Sequence, residues 1–180
     1  MRKKYEITDI THPNRPNLRR IRALRDIRII GVRAGDFGGW IEWEYNLDQS
    51  GGAWVSDVSE VSGTAQVTDT AQVFEGSLVS GDVLVNGDMQ VCGGANVSRN
   101  WHVLYAEVMA SARFPATLCR TNDGHHLRVG CWEGTVPEFR TMIEYETWVE
   151  ATPDQIELRR PELLAFTAMC EARIATWEPR

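Results

Sequence analysis

Three groups of side chains in this 180-residue chain have the types and spacing to do chemistry. The first is His102, in the run NWHVLY. A histidine on an open face can act as a general base, and it is as readily a polar surface residue or a contact to a neighbouring segment. The second is Cys119, His125, His126 and Cys131, spaced C-x5-H-H-x4-C. Zinc needs three or four such ligands converging on one point. Asp123-Gly124 lies between them and is a strong hairpin signal. A turn there does not set the two cysteines opposite each other. Adjacent residues of a strand also face opposite sides, which separates His125 from His126. No metal site and no cofactor is therefore expected.

The third group is ionic. The formal net charge is −6, unevenly distributed. Residues 1–33 hold ten Lys/Arg against Glu6, Asp9 and Asp26. Arg19, Arg20, Arg22 and Arg25 form the centre of this basic patch, with Arg15 and Arg28 beside them. From Ala34 to Ser98 there is no Lys or Arg, and ten Asp/Glu. Such a body repels nucleic acid, because phosphate binding needs basic side chains to displace counterions. Asp57, Glu60, Asp69, Glu75, Asp82 and Asp88 are instead the candidates for engaging a basic partner. They also serve solubility. The basic patch is read as pairing with this body or with another subunit, rather than with nucleic acid.

These acids sit in a repeat. Val55, Val61, Val67, Val73, Val79, Val85, Val91, Val97 and Val103 recur at every sixth residue. Two residues before each stand Ala53, Ser59, Ala65, Ala71, Ser77, Val83, Met89, Ala95 and Trp101. Six is a multiple of the strand period of 2 and a poor fit to the helical 3.6. The unit small-x-Val-x-x-x thus points two residues inward and the one between them outward. Its last three positions are rich in the turn formers Ser, Gly, Asp, Asn and Thr. Short strands with one apolar face cannot bury it alone, but stacked coils can. Three units make a triangular coil of 18 residues, so nine units give about three coils. The outward positions then form columns: Trp54, Gln72, Gln90; Glu60, Leu78, Asn96; Gln66, Leu84, His102. Trp54, Leu78 and Leu84 are the apolar members and mark a candidate face for self-association.

The repeat resembles the hexapeptide repeat of left-handed β-helix, acyltransferase-like proteins. Its variant with Gly or Asp two residues after the valine (VSGT, VSGD, VNGD, VCGG) is more specific. With the preceding LRRIRALRDI…VRAGDFGGWIEWEYNLDQSGGAWV and the later CRTNDGHHLRVGCWEGTVPEFRTMI, it resembles small hexapeptide-repeat proteins encoded by phages and prophages. The resemblance covers most of the chain; about the last 35 residues depart from the short helical tail usual there. It implies a mainly β fold: a short left-handed parallel β-helix of about three coils, an N-terminal β lead-in, and a C-terminal β-hairpin with an α-helical cap. It implies a dimer or trimer, and no single shared activity. Its enzymes use a histidine base and an acyl-donor groove between subunits, which makes His102 the catalytic candidate under that alternative. The phage setting implies a binder and inhibitor of a host protein or complex, such as a CRISPR-type defence assembly, without chemistry of its own. A purely structural or oligomerisation module is the remaining alternative.

The expected organisation is a lead-in over 1–52, the repeat over 53–106 and the hairpin with helices over 107–180. LRRIRALRDIRII fits either an amphipathic helix or a strand pair; the resemblance favours strands. AGDFGGWIE fits no phosphate-loop pattern and reads as a tight turn feeding Trp40 into the core. Thr135 with Pro137, and Thr152 or Asp154, are helix starts, and Pro161 is expected to kink or restart the second helix. No apolar run approaches the roughly 18 residues of a membrane span. The basic N-terminus lacks a secretory apolar stretch, and the four cysteines form no C-x-x-C pair. These features point to the reducing cytoplasm of a bacterial host and against a membrane partner.

Overall fold

The computed structural model describes residues 3–108, 114–146, 148 and 151–177. At its centre are eight two-residue strands: β4 (Trp54–Val55), β5 (Glu60–Val61), β6 (Gln66–Val67), β7 (Gln72–Val73), β8 (Leu78–Val79), β9 (Leu84–Val85), β10 (Gln90–Val91) and β11 (Asn96–Val97). Each pairs in parallel with the strand 18 residues away. Trp54 meets Gln72 and then Gln90, Glu60 meets Leu78 and then Asn96, and Gln66 meets Leu84. The result is a parallel β-solenoid of about three turns with three flat faces. The repeat valines from Val55 to Val97 are all essentially inaccessible to solvent. Ala53, Ala65, Ala71 and Ala95 fill the corners beside the valines, and Val83 is buried at the same position. Two serines share this position without leaving polar atoms stranded. Ser59 Oγ accepts from Ser77 N–H, and Ser77 Oγ from Ala95 N–H, each at 3.2 Å.

The bend after each strand from β4 to β10 has one conformation. The residue two after the valine (Asp57, Gly63, Asp69, Glu75, Gly81, Gly87, Gly93) is left-handed, with φ of 55–68°. Glycine adopts this region freely, whereas other residues do so at a cost. At Gly81 the spacing between coils also requires it, since a Cβ there would lie 2.5 Å from Ser98 O.

The lead-in forms strands, as the resemblance implied. β1 (Tyr5–Thr11), β2 (Arg19–Ala23) and β3 (Phe37–Ile41) are antiparallel. β3 then pairs in parallel with β5, so one solenoid face continues into a six-stranded sheet of order β1-β2-β3-β5-β8-β11. Gly39 permits this approach; a Cβ there would lie 2.5 Å from Ser59 O, just before β5. Lys4 and Tyr5 close the first corner. Lys4 Nζ donates to the Ser50 and Ala53 carbonyls at 2.9 and 2.8 Å, and Tyr5 Oη lies 2.8 and 2.7 Å from those of Glu44 and Leu47, its one hydrogen serving either. Burial pulls the Lys4 ammonium down from 10.5 to about 8 and pushes the Tyr5 phenol up.

The ninth unit does not complete a coil. Trp101 falls where the prism needs a small residue, and the chain turns outward there through a 3₁₀ turn at Asn100–His102. Val103 stays buried but opens a second sheet: β12 (Val103–Val108), β13 (Phe114–Arg120), β14 (His125–Val129) and β15 (Trp132–Gly134), all antiparallel. β12 thus spans the boundary expected at 106/107. β13 closes the solenoid's end: Cys119 joins its core, and Thr117 Oγ1 accepts from Gln90 N–H at 3.2 Å. Helices α1 (Val136–Glu144) and α2 (Pro153–Ile174) cover this sheet over a second core that includes Leu118, Leu127, Phe139 and Phe166. Thr135 and Thr152 cap them through reciprocal bonds with Glu138 and Gln155. Pro161 lies inside α2 without ending it, so the expected restart does not occur. Among the described residues no helix is long and apolar enough to cross a membrane.

Val79 has no polar group to meet a charge. Val79→Asp should lose on the order of 4 kcal/mol, read as a large drop in the denaturation midpoint with the m-value as the check on cooperativity.

Candidate functional site

The acids singled out in the repeat do not share one surface. The 18-residue register puts Asp57 and Glu75 on the edge after β4 and β7, Asp82 on the edge after β8, and Asp69 and Asp88 on the edge after β6 and β9. Five of the six are exposed. Glu60 is not: it is 8 % accessible, sealed by the lead-in. Its carboxylate takes Arg15 at 2.6 Å and lies 3.5 Å from His12. Glu60 is therefore an internal partner of the basic head rather than a docking residue. Its position in the column faces outward, but the loop between β1 and β2, which carries His12 and Arg15, closes over it.

Two of the exposed acids also hold the coil. A left-handed corner residue points its N–H along the stack, where no strand partner exists. Asp69 Oδ2 accepts from Gly87 N–H at 3.0 Å and Glu75 Oε2 from Gly93 N–H at 2.9 Å, each one coil on. Glu42 does the same for Gly63 at 2.8 Å. Asp88 accepts from the Thr70 hydroxyl. Asp57 and Asp82 stand exposed at their corners.

The basic patch is divided. Arg20 lies over the rings of Trp40 and Phe37, 5.1 and 5.9 Å from their centroids, and Arg22 pairs with Glu6. Arg19 and Arg25 are exposed. The apolar trio is divided as well. Trp54 is 1 % accessible, because Tyr5 and Gly38 pack over the first rung of its column, so it is not part of an oligomer face. Leu78 is half-buried and Leu84 is 44 % accessible, on different faces.

His102 ends the 3₁₀ turn instead of a strand. Its ring lies edge-on to Trp101 and Trp177, and Nδ1 accepts from Ser98 N–H at 3.3 Å. Burial, then Arg120 and Arg99, lower its pKa. The Cys/His hairpin forms as expected, with Thr121 N–H bonded to Gly124 O at 3.0 Å. Its ligand types diverge: Cys119 is buried, Cys131 exposed, His125 Nε2 accepts from Val136 N–H at 2.9 Å, and His126 packs on Gly93. Among the described residues no three metal-ligating side chains converge.

A feature that sequence reasoning missed lies at the start of the solenoid. An open concavity of about 630 Å³ is lined by Trp43, Glu44, Tyr45, Asp48, Gln66 and Thr68, among others. The Trp43 and Tyr45 rings are nearly parallel, at 9°, with centroids 6.4 Å apart, and are 53 % and 51 % accessible. A 3₁₀ turn at Glu44–Asn46 presents them. Buried Asn46 anchors that turn by donating Nδ2 to the Gly63 and Ala65 carbonyls at 3.1 and 2.7 Å, and by accepting from Trp43 N–H at 2.7 Å. Tyr45 Oη donates to Gly63 O at 3.1 Å. Glu44 is held below the usual carboxylate range, chiefly by its bond from Lys3, and Asp48 by bonds from Ser50. Asp48 lies on the same edge as Asp69 and Asp88, since Leu47 bridges Val67 and Asp48 N–H donates to Val67 O. The W-x-Y spacing with flanking acids was the available signal. Aromatics more often fill cores, and only the fold shows this pair outside.

Comparisons of the chain with protein-family models, with curated proteins and with solved structures returned no match.

The corner roles predict opposite outcomes at two acids. Asp57→Gly relieves a left-handed residue and should raise stability by about 1 kcal/mol. Glu75→Ala keeps the left-handed backbone and removes the amide's acceptor, and should lower it by roughly 1–2 kcal/mol. Chemical denaturation of the two variants measures both.

Proposed function

We propose that this chain is a non-enzymatic accessory protein of a phage or prophage that binds and inhibits a host factor. The partner carries a basic, nucleic-acid-contacting surface, as a CRISPR-type defence complex does. The observation that carries this reading is the acidic body: ten Asp/Glu and no Lys or Arg between Ala34 and Ser98, on a rigid stack. The edge with Asp48, Asp69 and Asp88 is the natural centre of the contact, because the concavity adjoins it. The acids on the other two edges widen the field that steers a cationic partner. Self-association into a dimer or trimer through the faces with Leu78 and Leu84 belongs to the same reading. The phage setting rests on the resemblance of the repeat and its flanks.

An acyltransferase-like activity would require His102 in a substrate cleft. Its ring packs between two tryptophans, and the concavity above lies at the other end of the solenoid.

The test uses acids that hold no backbone amide among the described residues. Asp57→Asn, Asp82→Asn and Asp88→Asn combined should weaken binding to a factor captured from host lysate by at least about tenfold, with little change in melting. Binding by the wild type should fall steeply with salt, and His102→Ala should leave it unchanged. Full binding by the triple variant, with loss in His102→Ala, would refute the proposal.

A further inference from the structure

We propose that the concavity beneath Trp43 and Tyr45 is a site for an arginine side chain of the partner, its guanidinium stacked on the two rings and bonded to Glu44 and Asp48. This inference rests on the reading of the chain as a binder of basic surfaces, and gives that binding a place and a chemistry.

Shape favours arginine over lysine. Guanidinium is flat, weakly hydrated and stacks on aromatic faces, whereas an ammonium is a compact, strongly hydrated point charge. Two nearly parallel, half-exposed rings offer flat surfaces to a flat cation. Asn46 and the Tyr45 hydroxyl fix the turn that carries them, so little ordering remains to be done on binding.

The same contact recurs within the molecule. Arginines in this molecule already lie over Trp40 and Phe37 (Arg20), Trp101 (Arg99), Phe74 (Arg128) and Trp148 (Arg160), at 5.1–6.0 Å from the ring centroids. Among the described residues no cation lies over Trp43 or Tyr45.

Charge favours a cation. Glu44 and Asp48 line the concavity as carboxylates, and Asp69 stands exposed beside Thr68. Two lysines are near. Lys4 is buried, with its ammonium turned to the Ser50 and Ala53 carbonyls. Lys3 pairs with Glu44 Oε1 at 2.8 Å, but both side chains are more than half exposed. Such a pair contributes little and yields readily to a better-placed cation. The bonds to Glu44 fall on Oε1, from Lys3 and Gln49, which leaves Oε2 for an incoming N–H. Phosphate-bearing ligands would meet the same carboxylates and be repelled.

The test titrates the full chain with tetra-arginine and tetra-lysine peptides by calorimetry, at low salt. Wild type should bind the arginine peptide at least about tenfold more tightly, and the arginine Hδ resonances should shift upfield from the ring currents. Trp43→Ala with Tyr45→Ala should abolish both the preference and the shift, while Trp43→Phe, which keeps a flat face, should retain them. Glu44→Gln with Asp48→Asn should weaken arginine binding with both rings intact, and so supports the site independently of any effect of the aromatic variants on folding. Equal affinity for the two peptides, or unchanged preference in the double alanine variant, would overturn the site and leave the basic-partner reading standing. No binding of either peptide to the wild type would overturn both.

Discussion

One interval of chain, 18 residues, governs this molecule. Every rung must reach the next with its valine inward, because the prism has no room for a change of register. Slipping a strand by one residue would turn the outward glutamines and leucines into the core. The two flanking sheets depend on the same interval. β3 can extend the solenoid only by matching β5, rung for rung. The far end is covered only because β13 delivers Cys119 and Thr117 onto the last coil. Solenoids need such terminal covers, since an open coil exposes core and unpaired strand edges.

The interval also decides what the edges can do. Corner backbones are left-handed, so each exposes an amide along the stack, and a carboxylate one coil earlier is well placed to accept from it. Asp69 and Glu75 are thus part of the fold as well as of the surface charge. Removing acids wholesale would confuse loss of binding with loss of the coil. The separation of Asp57, Asp82 and Asp88 from the amide-holding acids makes the electrostatic reading testable.

Much of this was legible in the sequence. The period, the inward valines, the columns up to β11, the hairpin at Asp123-Gly124 and the capping threonines all follow from local residue chemistry, and the structure has each of them; His102 alone leaves its column, in a 3₁₀ turn. What was not legible comes from packing between distant segments. Nothing near Trp54 indicates that Tyr5 will lie over it, and nothing near Glu60 that Arg15 and His12 will close around it. The coil ends one unit before the valine spacing does, because Val103 keeps the period while Trp101, bulkier than any residue at the other inward positions, falls in a 3₁₀ turn. The Trp43–Tyr45 concavity was missed because its walls come from a turn whose exposure depends on Asn46 reaching across to Gly63 and Ala65.

The most direct test of this account is to excise chain in different lengths. Deleting residues 60–77 removes one whole coil and should leave β3 to pair with β8 and the far cover unchanged. Deleting residues 84–89 removes one unit, preserves the local small-x-Val pattern, and sets every later strand against the wrong face. The account predicts cooperative unfolding for the 18-residue deletion at a reduced midpoint, and loss of cooperative unfolding for the six-residue deletion. Equal stability of the two, or a cooperative fold only in the shorter deletion, would contradict it.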